Sequence, residues 1–271
     1  MSLSGPRRLD AIAAGMAALV EHVDTLSADL AALVADERAR SAAALGIQAE
    51  EEAAKILILL DLVRMGWRDQ KACVNQIDRF YDHLARGIYA QVVHFRPATV
   101  KELQRLIDFE RRSRYLDGPN DVDWIFRNEV LTRRESSLYV DYVHTEDGDE
   151  WVSPASRDEY KSAWRVDAAR LALLLAKAGA TSRDGLEIVA RDWRGVSLDP
   201  DTHWQVAAAI NAGVLRAVHA AGLSDPGMTE TEAAWLCDRW TFPLGRFDMD
   251  QVEVSDAELE EQRDRWWRQQ L

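Results

Sequence analysis

The sequence predicts a mainly α-helical protein, an antiparallel helical bundle, from three observations. Ala, Leu, Arg and Glu abound, while the 271 residues hold only seven Pro and fourteen Gly, a composition of helix formers with few breakers. The stretch Ala49 to Leu60 (Ala-Glu-Glu-Glu-Ala-Ala-Lys-Ile-Leu-Ile-Leu-Leu) is acidic at its start and then apolar on almost every side. A helix apolar all round has to lie inside a bundle. The stretch Asp69 to Tyr89 is two-faced: at about 100° per residue Cys73, Val74, Ile77, Phe80, Tyr81, Leu84 and Ile88 gather on one side, and Asn75, Arg79, Asp82, His83 and Arg86 on the other.

The elements follow in order. Pro6 suits a first helical turn, and Ile12, Met16, Leu19, Val20 and Val23 keep helical spacing, so residues 6 to about 36 are predicted as one long helix or two. That period, with Asp10 inside it, describes an amphipathic helix rather than a secretory signal. A second helix runs from about Glu37 to Met65 and stops at Gly66, with Glu51 and Lys55 at i,i+4 in the favourable order. Asp69 is a candidate N-cap for a third, continuous helix to about Val93, and Pro97 closes that region. Thr99 with Glu102 is a capping-box pattern that opens a fourth helix to about Tyr115. Asp117-Gly118-Pro119-Asn120 is a turn signal, followed by a short helix over 124–131. Ser136 to Val143 is β-branched and aromatic, and with Trp151-Val152 it predicts a small β-hairpin near 136–153. A helix from about Arg157 to Ala178 follows. Residues 181–271 predict three or four more helices, divided at Asp199-Pro200, Asp225-Pro226-Gly227 and Phe242-Pro243; they hold six of the ten Trp, the composition of packed helices or of a protein interface. The organisation expected is a helical domain over 1–180 and a C-terminal extension over 181–271, either separate or part of the same bundle.

A net charge of −13 argues against a protein that coats nucleic acid or anionic membrane, although Arg64 to Lys101 carries seven basic residues against three acidic ones. The longest apolar run falls far short of the ~18 residues of a membrane span. Cys73 and Cys237 are too few for a disulfide framework or zinc set, and Cys73 reads as a buried free thiol. A soluble, cytoplasmic protein without membrane contact is expected. Glycine-rich phosphate loops and a Ser elbow are missing, and no Glu-x-x-His occurs to build a di-iron site. Neither cofactor nor metal is therefore expected, and Glu51, Glu52 and Lys55 read as partners in helix-end and inter-helix pairing.

Three features in sequence carry a family resemblance: the Ala-rich helix; Glu51-Glu52-Ala53-Ala54-Lys55 leading into an apolar run; and a helix bearing His83 with basic Arg86 three residues on. This arrangement resembles the HEPN superfamily. Leu138-Tyr139-Val140-Asp141-Tyr142 followed by Trp151 and Pro154 is similar to its AbiV branch, the abortive phage-infection proteins. The resemblance spans about residues 20–180. It implies a bundle that dimerises and, in the nuclease members, an Arg and a His that meet their mates across the dimer axis and cleave RNA without metal. On this chain His83 would be the general acid–base and Arg79 the phosphate clamp. Arg86 and Asn75 would be helpers, Asp82 an orienting group, and Lys55 and Glu52 supporting residues. Only Phe80, Tyr81 and Asp82 separate Arg79 from His83, a shorter interval than is usual in the family. A competing expectation is a non-catalytic helical protein that sequesters a phage or host protein through its Trp-rich C-terminal helices; for His83 and Arg79 it leaves a solvated Arg–Asp–His surface network.

Overall fold

A computed structural model describes residues 5–113, 129–145, 148–153 and 166–255, with scattered positions of 257–268. The described chain is mainly helical. Helices α1 (Gly5–Ala35) and α2 (Ala39–Met65) form a hairpin around a short turn, and α3 (Gln70–Arg79), α4 (His83–Phe95) and α5 (Val100–Glu110) follow. After β1 (Arg112–Ser113) come α6 (Glu129–Leu138), β2 (Asp141–Thr145), β3 (Gly148–Val152), α7 (Asp167–Lys177), α8 (Arg183–Asp192), α9 (Trp204–Ala220), α10 (Glu230–Arg239) and β4 (Val252–Glu253).

The all-round apolar stretch is central, as its composition demands. Ala53, Ala54, Ile56, Leu57, Ile58 and Leu60 are buried, and α2 packs against α1, α3, α4, α6, α7 and α8. Gly66 closes α2 with a positive φ of 73°, where a side chain would be strained. Asp69 caps α3 by accepting from Ala72 N at 3.0 Å, and Thr99 caps α5 by accepting from Glu102 N at 3.2 Å.

Four sequence expectations need correction. The helix expected to run unbroken from Asp69 is broken at Phe80-Tyr81-Asp82. Asp82 has extended backbone angles and accepts from Ala85 N, so its short side chain starts a new helix rather than continuing the old one. The break changes which residues face inward. Val74 and Tyr81 are exposed, while Gln76, placed on neither side by the continuous period, is fully buried. Second, α5 ends at Glu110 rather than near Tyr115. Third, Ser136, Ser137 and Leu138 end α6 instead of opening a strand, and the antiparallel hairpin pairs Asp141–Thr145 with Gly148–Val152. The turn at 117–120, residues 124–128 and the first half of the helix expected from Arg157 lie outside the described residues. Cys73 is half-buried rather than buried, its Sγ 3.4 Å from Gly66 O.

The C-terminal residues are bound into the same core. Asp61 of α2, itself buried, accepts from Arg64 Nη1 at 2.9 Å, from Tyr89 OH at 3.0 Å and from Leu244 N at 2.6 Å. Arg64 continues to Thr241 O, and its guanidinium lies 4.0 Å from the centre of the Trp193 ring. Asn211 of α9 donates to Trp240 O and accepts from Trp193 Nε1. Residues 240–247 are thus a strap threaded along α2 and α3. Gly245 is pressed so closely on Met65 that a Cβ there would collide with its sulfur. Trp193 and Trp240 are buried, so these two build the core and not the partner surface that the Trp-rich composition suggested. Burial raises the pKa of Asp61 and Tyr89 and lowers that of Arg64. The three donors that converge on the Asp61 carboxylate oppose that rise.

Removing one member of a buried, hydrogen-bonded ion pair strands the other. Asp61→Ala is therefore expected to cost about 3–5 kcal/mol in equilibrium urea unfolding; a loss below about 1 kcal/mol would show that the strap is held by something else.

Candidate functional site

The polar face expected on one helix is distributed over two. Arg79 ends α3, whereas His83 is the first residue of α4 behind its Asp82 cap. They are bound to different parts of the molecule. Arg79 donates to Gln76 Oε1 at 2.9 Å, to Gly245 O at 3.0 Å and to Phe247 O, so its guanidinium fastens the strap to α3. His83 instead turns to α2, with its Nδ1 2.7 Å from Glu51 Oε2.

Glu51 is the hub of this second cluster. The same Oε2 lies 3.4 Å from Arg86 Nη2, and Oε1 lies 3.3 Å from Arg134 Nε of α6. Arg86 Nη2 is also 2.8 Å from His83 Nδ1. A guanidinium can only donate and a carboxylate can only accept. Nδ1 cannot serve both neighbours at once: a proton there donates to Glu51 at 2.7 Å, whereas a lone pair there accepts from Arg86 at 2.8 Å. With the proton on Nδ1, Arg86 and Arg134 share the Glu51 carboxylate and Nε2 carries the lone pair. The His83 side chain is 45% exposed, against 8% for Arg86 and 12% for Glu51. An accessible imidazole is therefore held from behind by a shielded carboxylate and two cations, an arrangement that suits a proton carrier beside an anion.

The remaining sequence candidates fall as follows. Glu52 pairs with Lys55 at 2.6 Å, so the partner expected for Glu51 belongs to its neighbour. Lys55 Nζ sits 5.3 Å from the centre of the Phe80 ring and braces the α3–α4 turn. Asp82 does not orient His83 or an Arg: its carboxylate is used by Ala85 N. Asn75 is exposed on α3, a helix away from His83. Arg86 does join His83. Glu51 as the orienting carboxylate and Arg134 as the third-helix contributor were not assigned these roles from sequence. The one signal for Glu51 is its polar character just before the apolar stretch of α2; Arg134 carries none. Among the described residues, no three His, Cys, Asp or Glu side chains gather in a way that could hold a metal ion.

Glu50 sits next to the cluster and has a different task. Helix α7 has no side-chain cap of its own, and Glu50 Oε1 accepts from Ala169 N in its first turn at 2.9 Å. Desolvation raises this carboxyl from 4.5 to about 8, against the lowering effect of the Ala169 and Ala168 amides. Between these two values the unfolded chain releases a proton that the folded chain retains, so this group makes stability fall as pH rises. Glu50→Gln keeps the acceptor and removes the titration. It is expected to stabilise the protein near pH 8 by on the order of a few kcal/mol more than near pH 5. Urea unfolding at the two pH values checks this; an equal effect at both would mean that the carboxyl is ionised in the fold.

No helix of the described residues is long and apolar enough to cross a membrane. Neither a curated protein nor a solved structure matches the chain. The HEPN family named AbiV does match, over residues 11–171. That interval runs from α1 into α7 and contains α2, α4, α6 and the whole Glu51–His83–Arg86–Arg134 cluster. The match covers well over half of the sequence, and the chain belongs to the AbiV family of HEPN proteins.

Proposed function

We propose that this chain is a phage-defence protein of the abortive-infection type that acts on RNA as a metal-independent endoribonuclease in the cytoplasm, with His83 as its general acid–base. One observation carries the proposal: a half-exposed imidazole whose Nδ1 is held by a shielded carboxylate at 2.7 Å, with two guanidiniums at that same carboxylate. RNA supplies its own nucleophile. His83 Nε2 takes the proton of a 2′-hydroxyl as that oxygen attacks the adjacent phosphorus. The 5′-oxygen then leaves with a proton from the second His83 of a homodimer, giving a 2′,3′-cyclic phosphate and a 5′-hydroxyl. Arg86 and Arg134 offset the charge gathering on the phosphorane. Glu51 is a positioning residue, because it touches His83 and not the reacting atoms.

This reading departs from the simple motif in one respect. Arg79 binds three backbone carbonyls or amide oxygens and anchors the strap, so the phosphate-facing charge is assigned to Arg86 and Arg134. Asn75, exposed on α3, is the residue of that group best placed to touch an RNA flank, and Lys55 with Glu52 supports the turn beneath.

The test is cleavage of a single-stranded RNA in EDTA by the purified protein, beside folded His83→Ala, Glu51→Gln and Arg79→Ala variants. Wild-type protein is expected to leave cyclic phosphate ends. His83→Ala should lower the rate by at least about 10²-fold, Glu51→Gln by about tenfold, and Arg79→Ala chiefly the melting temperature. Cleavage by His83→Ala at the wild-type rate, or an inactive wild type, would refute the catalytic assignment.

A further inference from the structure

We infer that a cavity between residues 240–247 and the chain joining α8 to α9 binds a small organic anion with an apolar, aromatic body. The cavity has a volume of about 100 Å³, well above the roughly 10–15 Å³ that one water requires. Trp193, Val196, Leu198, Phe242 and Phe247 belong to its walls, and both ionisable residues in its lining, Arg64 and Arg246, are cations. Water finds few hydrogen-bond partners between apolar walls. A concave apolar space with a few polar groups is instead the form of a small-molecule site. Most of the lining lies beyond residue 171, where the AbiV match ends. The cavity is therefore built mainly by the part of the chain outside that match.

The two arginines decide the charge of the occupant. The Arg64 side chain is only 2% exposed. Its Nη1 serves Asp61, its Nη2 serves Thr241 O, and its face lies on the Trp193 ring. Its Nε, however, is a buried donor without a partner. Such a donor is costly to leave unmade, and an acidic oxygen reaching it from the cavity would satisfy it. Asp61 offsets the charge of Arg64, so the net positive charge at the cavity comes from Arg246. That residue is exposed and makes no ion pair or side-chain hydrogen bond among the described residues. A cation would be repelled here, and a neutral molecule would leave Arg246 unused. Phe242, Arg246 and Phe247 are also part of the strap that Asp61 and Arg79 hold, so an occupant would fasten the strap further. The site does not depend on the catalytic reading of His83.

The experiment follows 4-fluorobenzoate by fluorine NMR as the full-length protein is added, beside its neutral counterpart 4-fluorobenzamide. The variants are Arg246→Gln, Val196→Phe, which adds a ring within the cavity, and Arg194→Gln. Arg194 is an exposed arginine on the same connection that does not line the cavity. The site predicts that the acid binds about tenfold more tightly than the amide. Arg246→Gln should weaken the acid about fivefold, Val196→Phe should abolish its binding, and Arg194→Gln should leave it unchanged. Saturating acid should raise the melting temperature of the wild type but not of Val196→Phe. Equal binding of acid and amide would leave an apolar cavity without preference for an anion. Equal weakening by Arg246→Gln and Arg194→Gln would reduce the effect to net charge, and wild-type binding by Val196→Phe would place the acid elsewhere. Each of these results, or no binding at millimolar concentration, overturns the inference. Circular dichroism checks each fold, and Arg246→Gln, a change at an exposed side chain, keeps the test decisive if Val196→Phe does not fold.

Discussion

The buried carboxylate of Asp61 is the constraint on which the arrangement of this molecule depends. Left without partners in the middle of a helical bundle, it would cost several kcal/mol. The chain brings it three donors from three places, Arg64 on the same helix, Tyr89 on α4 and Leu244 N from beyond residue 240. Satisfying one charge therefore fixes the positions of elements more than 180 residues apart in sequence. Tyr89 in turn is bonded to Gln76, and Gln76 to Arg79, so the network extends through α3 to the strap that Arg79 clasps. The apolar core supplies most of the burial, but this network specifies which segment lies over which helix.

The candidate site uses the same logic with the opposite exposure. Glu51, ten positions before Asp61 on α2, also collects donors from several elements. It too has three, and one of them, His83, reaches solvent. The chain thus has two carboxylate hubs on one helix: a closed one that holds the fold and an open one that holds a titratable ring. The turn at Phe80-Tyr81-Asp82 separates them. It assigns Arg79 to the closed hub and His83 to the open one, and so divides between structure and chemistry two residues that the sequence motif presents as a pair.

Much of this was legible from residue types alone. The all-round apolar stretch had to be central, Asp69 and Thr99 had to cap helices, Gly66 had to end one, and the Tyr- and Trp-bearing segment had to pair as a hairpin. Local chemistry determines such features. The division of α3 from α4 was not read, because the polar and apolar period runs on unbroken through residues 80–82. Asp82 is equally plausible on a helix surface and at a cap, and only packing of Tyr89 and Gln76 against α2 decides. Nor could Arg134 be linked to Glu51: an exposed-looking Arg on a distant helix acquires a role only once tertiary contacts exist. The Trp residues after 181 left two readings open for a related reason. Aromatic richness is the same signal for a core and for an interface, and Trp193 and Trp240 are consumed by the network around Arg64 and Asn211.

The catalytic role of His83 depends on the state of its ring, and a long-range proton–nitrogen correlation spectrum of protein labelled with ¹⁵N-histidine reads that state directly. In alkaline solution His83 should appear as the Nδ1–H tautomer, with Nε2 unprotonated and its signal shifted by Glu51→Gln. An Nε2–H tautomer indifferent to Glu51 would mean that Arg86 and not the carboxylate holds the ring, and that the nitrogen assigned to proton transfer is not available for it.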